Sequence, residues 1–172
     1  VRERSPETIR RAVRAGLAAT GADEIGLLSL STGDYTCLPD LLRSLTAEHG
    51  GDRVSLSMPS LRLESLGDGM LDEVRNVRRS GITLAPEAGT PRLRAVINKN
   101  FDEAALYRAV EAVFSRGWRH LKLYFMVGLP TEQREDLWGI VDLARACRDH
   151  ARRMRRNARI KVSVGNFVPK AH

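Results

Sequence analysis

Five short loops gather the residues of this chain that could do chemistry. They are Ser31-Thr32-Gly33-Asp34-Tyr35, Ser57-Met58-Pro59-Ser60-Leu61-Arg62, Pro86-Glu87-Ala88-Gly89-Thr90-Pro91, Gly128-Leu129-Pro130-Thr131-Glu132 and Gly165-Asn166-Phe167-Val168-Pro169-Lys170. Each mixes small residues, which let a ligand come close to the backbone, with a few hydrogen-bonding groups. The hydroxyls, Asp34, Glu87 and Arg62 suit amino, hydroxyl and carboxylate partners. No metal site is legible. The two cysteines, Cys37 and Cys147, lie far apart, with no Cys-x-x-Cys and no clustered histidine beside either, which reads as two reduced structural thiols.

The elements that must carry these loops follow from periodicity. Five β-rich runs, Glu24–Leu30, Arg53–Met58, Ile82–Ala85, His120–Val127 and Arg159–Val164, alternate with segments whose apolar residues recur at helical spacing, such as Leu137, Ile140, Val141, Ala144, Cys147 and Ala151. Ser5-Pro6 reads as an N-cap followed by proline at the first helical position. Asp102 caps a later helix, with Phe101 and Leu106 as its staple; Thr131 is placed to begin the last long one; Gly21, Gly81 and Gly117 end helices. Successive strands are separated by far more than the roughly dozen residues that a parallel crossover needs, so the strands run parallel with helices outside.

Strand parity then separates an open sheet from a barrel. One row reads Ile25, Leu27, Val54, Leu56, Ile82, Leu84, Leu121, Leu123, Phe125, Ile160, Val162 and Val164, apolar throughout. The other reads Ser55, Ser57, Thr83, Ala85, Glu87, Lys122, Tyr124, Lys161 and Ser163, with Leu28 and Leu30 as exceptions. A sheet covered on both faces would be apolar in both rows. A polar inner row fits a partial (β/α) barrel of about five βα units around a polar ligand, whose site lies at the carboxyl ends of the strands.

Length and charge bound the rest. At 172 residues, 42% of them hydrophobic, the chain suits one domain. No apolar stretch is long enough for a membrane span and the N-terminus is not signal-like, so we expect a soluble cytoplasmic protein without a membrane partner. A net charge of +7 and a pI near 10.1 fit an acidic partner such as RNA. Much of that excess is the run Arg152, Arg153, Arg155, Arg156 and Arg159, which a solvated helix end also explains. Aromatics make up only 5% and do not interleave with the basic residues, which argues against a surface dedicated to single strands.

Taken in order, the five strand ends resemble the S-adenosylmethionine (SAM) binding motifs of radical SAM enzymes, most closely the branch fused to a cobalamin-binding domain and related to methylthiotransferases. Arg2-Glu3-Arg4-Ser5-Pro6-Glu7 resembles the segment that follows the family's cluster loop. Ser31-Thr32-Gly33-Asp34 falls where the family has its Gly-Gly-Glu-like motif, which implies contact with the SAM amino group. Glu87 stands at the ribose position; Gly128 to Glu132 resembles the turn lining the adenine pocket; Asn166 and Val168 belong to the sixth-strand exit facing adenine. The same resemblance implies that Ser57 borders the site and that Arg62 pairs with the methionine carboxylate. Lys122 and Tyr124, on the polar row, are the candidates for substrate or acid–base contact.

For the intact protein the resemblance implies a [4Fe–4S] cluster that cleaves SAM to a 5′-deoxyadenosyl radical, acting on an RNA or protein substrate. The family's Cys-x-x-x-Cys-x-x-Cys is absent from this sequence. We expect it upstream of Val1, together with the first of six barrel strands, and expect any cobalamin in a separate domain; this chain alone would then be inactive. Two other readings compete: a basic RNA-binding module, and a βα-barrel enzyme for phosphorylated substrates. The latter would need a Gly-rich phosphate loop, for which Gly50-Gly51 and Gly89-Thr90 are poor candidates.

Overall fold

A computed structural model describes residues 2–29, 32–49, 54–57 and 82–169. They fall in two compact units, Val1–Ser80 and Gly81–His172.

In the first unit, Ser5 accepts a hydrogen bond from Thr8 N at 3.3 Å and Pro6 opens helix α1, Pro6–Thr20. Gly21, at φ 63°, closes the helix in the left-handed region that glycine adopts without steric cost. Strand β1 (Glu24–Gly26), a 3₁₀ turn (Thr32–Asp34), helix α2 (Leu38–His49) and strand β2 (Ser55–Ser57) follow. Helix α2 buries Leu38, Leu41, Leu42 and Leu45, one face at helical spacing. Arg10 and Arg14, one turn apart on α1, both bond Glu48 of α2. Desolvation works against that carboxylate, but the bonds from Arg14 and Arg10 hold its pKa below the ordinary value. Strands β1 and β2 pair in parallel, with Glu24 opposite Ser55 and Gly26 opposite Ser57. Both are shorter than their sequence runs. Leu28, expected within β1, is 91% exposed beyond its end.

The second unit is a parallel sheet, β3 (Ile82–Glu87), β4 (His120–Val127) and β5 (Arg159–Asn166), in that spatial order. Helices α3 (Pro91–Val96) and α4 (Glu103–Ser115) connect β3 to β4, and α5 (Arg134–Met154) connects β4 to β5. The alternation expected from parity is present in β3 and β4. Ile82, Leu84, Leu121, Leu123 and Phe125 are buried, whereas Thr83, Ala85, Glu87, Lys122 and Tyr124 are partly exposed. Each of the large side chains so buried contributes about 1.5–3 kcal/mol. Leu106, Val110, Val113 and Phe114 of α4, with Ile140, Leu143, Cys147 and Ala151 of α5, complete this core.

Strand β5 does not bury its apolar row: Val162 and Val164 are 39% and 51% exposed, because no described element covers them. Strands β3 and β5 run further than Ala85 and Val164, to Glu87 and Asn166. Thr131 does not cap α5. It has φ 63°, and the helix begins after Gln133, whose N–H donates to Asp136 Oδ2 at 2.9 Å.

Candidate functional site

The carboxyl ends of β3, β4 and β5 converge. Ala88 after β3 and Leu129 after β4 form one buried cluster with Leu93, and Ile97, Met126 and Phe167 after β5 pack against it. Thus three of the five strand ends named from sequence surround one small apolar anchor.

Strand β3 ends in an irregular turn. Its register with β4 shifts between Leu84 and Glu87, and Ala88 N donates to Pro86 O at 2.9 Å across Glu87, a γ-turn with Glu87 at φ 69°. A non-glycine residue held there costs about 1–3 kcal/mol and is kept only where its surroundings enforce it. The enforcing groups are identifiable. Ala88 is fully buried; a Cβ on Gly89 would overlap the backbone of Gly139 and Ile140 in α5; Thr90 caps α3 by accepting from Leu93 N at 3.3 Å. Arg94, 1% exposed, donates to Gly89 O at 3.2 Å and to Glu103 at 2.8 Å, and its guanidinium lies 4.4 Å from the Phe101 ring centre.

The Glu87 carboxyl is therefore the chemical group of a turn that buried neighbours hold in place. Burial pushes its pKa up, while the Lys99 ammonium, 3.9 Å away, draws it partly back. The group is placed to accept from a hydroxyl, and its partial burial shields such a bond from water.

Asp136 ties this turn to the next. It is 2% exposed and accepts from Thr90 Oγ1, Arg92 and Gln133 N; Arg92 also donates to Thr131 O at 2.9 Å. Desolvation would raise this carboxyl, but the bonds from Thr90, Gln133 and Arg92 outweigh it and hold the pKa below the ordinary value. In the turn after β4, Gly128 has φ 81° and Thr131 φ 63°. Glu132 Oε2 accepts from Gly128 N at 2.9 Å and Leu129 N at 3.3 Å, so this oxygen shapes the turn. Asn166 pairs in register with Val127, and Phe167 N donates to Val127 O at 2.8 Å. Val168 beyond it is 73% exposed.

Lys122 lies between Thr83 and Lys161 in register, below the mouth. Among the described residues it forms no ion pair, so a salt bridge does not account for it there. Tyr124 pairs with Ser163, and its hydroxyl occupies the space that a Cβ on Gly165 would fill.

Within the first unit, Thr32 is 6% exposed with its hydroxyl 2.8 Å from Ser29 Oγ; Gly33 is half-buried and Asp34 exposed. Tyr35 donates to Arg4 O at 2.8 Å, and Glu3 accepts from Thr36 N at 3.1 Å, which fastens the Arg2-Glu3-Arg4 segment to this turn. Burial pushes the Tyr35 hydroxyl pKa up, as do Cys37 and Glu3. Ser57 ends β2 opposite Gly26. Ser31 and Arg62 lie outside the described residues, as do Gly50 and Gly51. Sequence reasoning missed Arg92, Arg94, Lys99 and Asp136. Only Asp136 carried a readable signal, three residues after Gln133 at the start of an apolar-periodic run.

Cys37 and Cys147 fall in different units, both free, and burial pushes the Cys147 thiol up to about 12. Among the described residues no group of three or more His, Cys, Asp or Glu could hold a metal, and no helix is long and apolar enough to cross a membrane. A three-thiolate cluster site does not fit the residues of this chain.

Parallel strands joined by helices, with small and acidic residues at their carboxyl ends, define the class as a parallel α/β scaffold. The chain belongs to the radical SAM superfamily, whose family model matches residues 1–144. It is 32% identical over 157 residues to the uncharacterized protein MJ0966 of Methanocaldococcus jannaschii, covering 91% of this chain and 32% of that protein. Among solved structures it is similar to TsrM of Kitasatospora setae, a radical SAM methyltransferase with tryptophan and a SAM analog bound, at TM-score 0.69 and 16% identity over 84% of this chain and 29% of that one. It also resembles HemN of Escherichia coli, coproporphyrinogen III oxidase, at TM-score 0.57 and 12% identity, over 98% of this chain and 39% of that one. These neighbours have the partial βα-barrel fold. The chain spans about a third of the length of the relatives it matches.

Proposed function

We propose that this chain is the SAM-binding part of a larger radical SAM enzyme, and that Glu87 accepts a hydrogen bond from the SAM ribose. The observation that carries this is the turn at Glu87, a strained, half-buried carboxyl held at a strand end by buried neighbours. Gly128 and Asn166 supply backbone close to the adenine, with Val168 beside it. Glu132 acts on that site through the turn it closes. Thr32, Gly33 and Asp34, with Ser31, take the amino group, and Ser57 and Arg62 the carboxylate side. Lys122 and Tyr124 are left for the substrate.

SAM supplies a sulfonium whose carbon–sulfur bond the family's chemistry breaks. The residues of this chain bind it, orient it and exclude water. Family membership implies a [4Fe–4S] cluster, and its ligands are not among the residues here. A cobalamin belongs, in this reading, to a separate domain, as one neighbour that carries both cobalamin and cluster suggests. The reading also places the protein in the cytoplasm. The phosphate-loop alternative loses support at Gly89, whose backbone is pressed against α5.

The test is reductive cleavage by the intact protein carrying this chain. With its cluster reconstituted and a reductant supplied, it should yield 5′-deoxyadenosine and methionine in equal amounts. Saturable SAM binding without any cleavage under those conditions would contradict the assignment to radical chemistry.

A further inference from the structure

The opposite end of the second unit carries charge that the chemistry at the mouth does not use. Arg119 precedes β4, and its carbonyl accepts from Arg159 N at 2.9 Å; Arg159 opens β5 opposite His120. Arg152 and Arg153 end α5, and Arg156 lies in the short turn from α5 to β5, in which Ala158 N donates to Arg155 O at 2.9 Å. Lys161 follows on β5, in register with Lys122. All six, Arg119, Arg152, Arg153, Arg156, Arg159 and Lys161, are exposed.

Among the described residues no carboxylate pairs with them. Residues 112–131 and 150–172 contain no Asp or Glu. The acids that come before are engaged: Asp142 with Arg145 at 3.9 Å, Asp149 with Arg148 at 2.8 Å, and Glu111 with His150 at 2.6 Å. Among the described residues none of the six forms an ion pair. Helix-end electrostatics accounts for Arg152 and Arg153, which sit in the last turn of α5 near its negative pole. It does not account for Arg119, Arg156, Arg159 or Lys161, which lie on strand ends and a turn.

We propose that this face docks the phosphate backbone of a nucleic acid duplex. Guanidinium groups suit phosphate because their planar donors engage two oxygens at once. The patch presents no exposed Phe, Trp or Tyr, and so lacks the aromatic platform that a single strand would stack on. Met154 at this helix end and Val162 beside Lys161 are its exposed large apolar side chains, less than the aromatic and aliphatic cluster that centres a protein interface. The length of β4 separates Arg119 and Arg159 from the carboxyl-end mouth by about 23 Å, with Lys161 two residues nearer, so a duplex held here is anchored at a distance from the chemistry.

The experiment is fluorescence anisotropy of the intact protein with a labelled RNA duplex and its DNA counterpart, titrated across salt concentrations. Each phosphate contact adds about 0.9 to the magnitude of the log–log salt slope for duplex DNA. The double variant Arg156→Gln/Arg159→Gln should therefore weaken binding at every sequence and lower that slope by about two. Arg145→Gln/Arg148→Gln, which removes the same charge from paired positions of α5, should leave the slope nearly unchanged. The tighter of the two duplexes names the source of the phosphates. Equal loss in both double variants would overturn the patch as a site, and competition by polyglutamate as effective as by duplex would reassign it to an acidic protein.

Discussion

Glu87 sits in a backbone conformation that disfavours any side chain and in surroundings that disfavour its charge. The pH dependence has a definite sign. Its pKa is raised in the folded state, so the penalty is absent below the ordinary value of 4.5 and grows as pH rises through the raised pKa. Glu87→Gln should therefore unfold at a higher temperature than the parent at pH 7 and at the same temperature near pH 4, as calorimetry at the two values would register. A variant that gains stability and loses ligand affinity is what a residue kept for function gives. The sequence pointed to Glu87 by its place in Pro86-Glu87-Ala88-Gly89-Thr90. The γ-turn and the Lys99 contact were not legible, because the first is enforced by packing against α5 and the second by the return of the chain after α3.

At the scale of elements, the loop after β3 is locked from two sides. Gly89→Ala would force a methyl into the α5 backbone, which cannot yield as a side chain end would, and should lower stability by about 1–3 kcal/mol in urea unfolding. Asp136→Ala should cost about 2–3 kcal/mol because it leaves the Thr90 and Gln133 donors without their charged acceptor. Arg92→Ala should cost under about 1 kcal/mol, since that guanidinium is 45% exposed and water screens the pair. Equal losses in the last two variants would mean that Asp136 is not the organising group. Helix and strand positions were largely readable from spacing, and the Ser5, Asp102 and Gly21 caps fall where composition placed them. The start of α5 was not, because Thr131 looks like a cap until its φ of 63° shows it inside the preceding turn. Arg94 and Asp136 read as surface charges in a sequence, since burial of a paired charge leaves no local pattern.

For the molecule as a whole, parallel βα order and the polar inner row of β3 and β4 were legible because period-2 burial is written into the strands. The exposed row of β5 was not, since nothing in Val162 and Val164 says whether a helix covers them. The basic run was visible from composition, yet only the fold joins Arg119 to Arg159 and separates both from the mouth. Equilibrium binding of SAM to the intact protein decides whether that mouth holds SAM. Glu87→Ala should weaken SAM at least about tenfold while Lys161→Ala, near the far end of β5, leaves affinity unchanged. Identical SAM affinity in the parent and Glu87→Ala would contradict it.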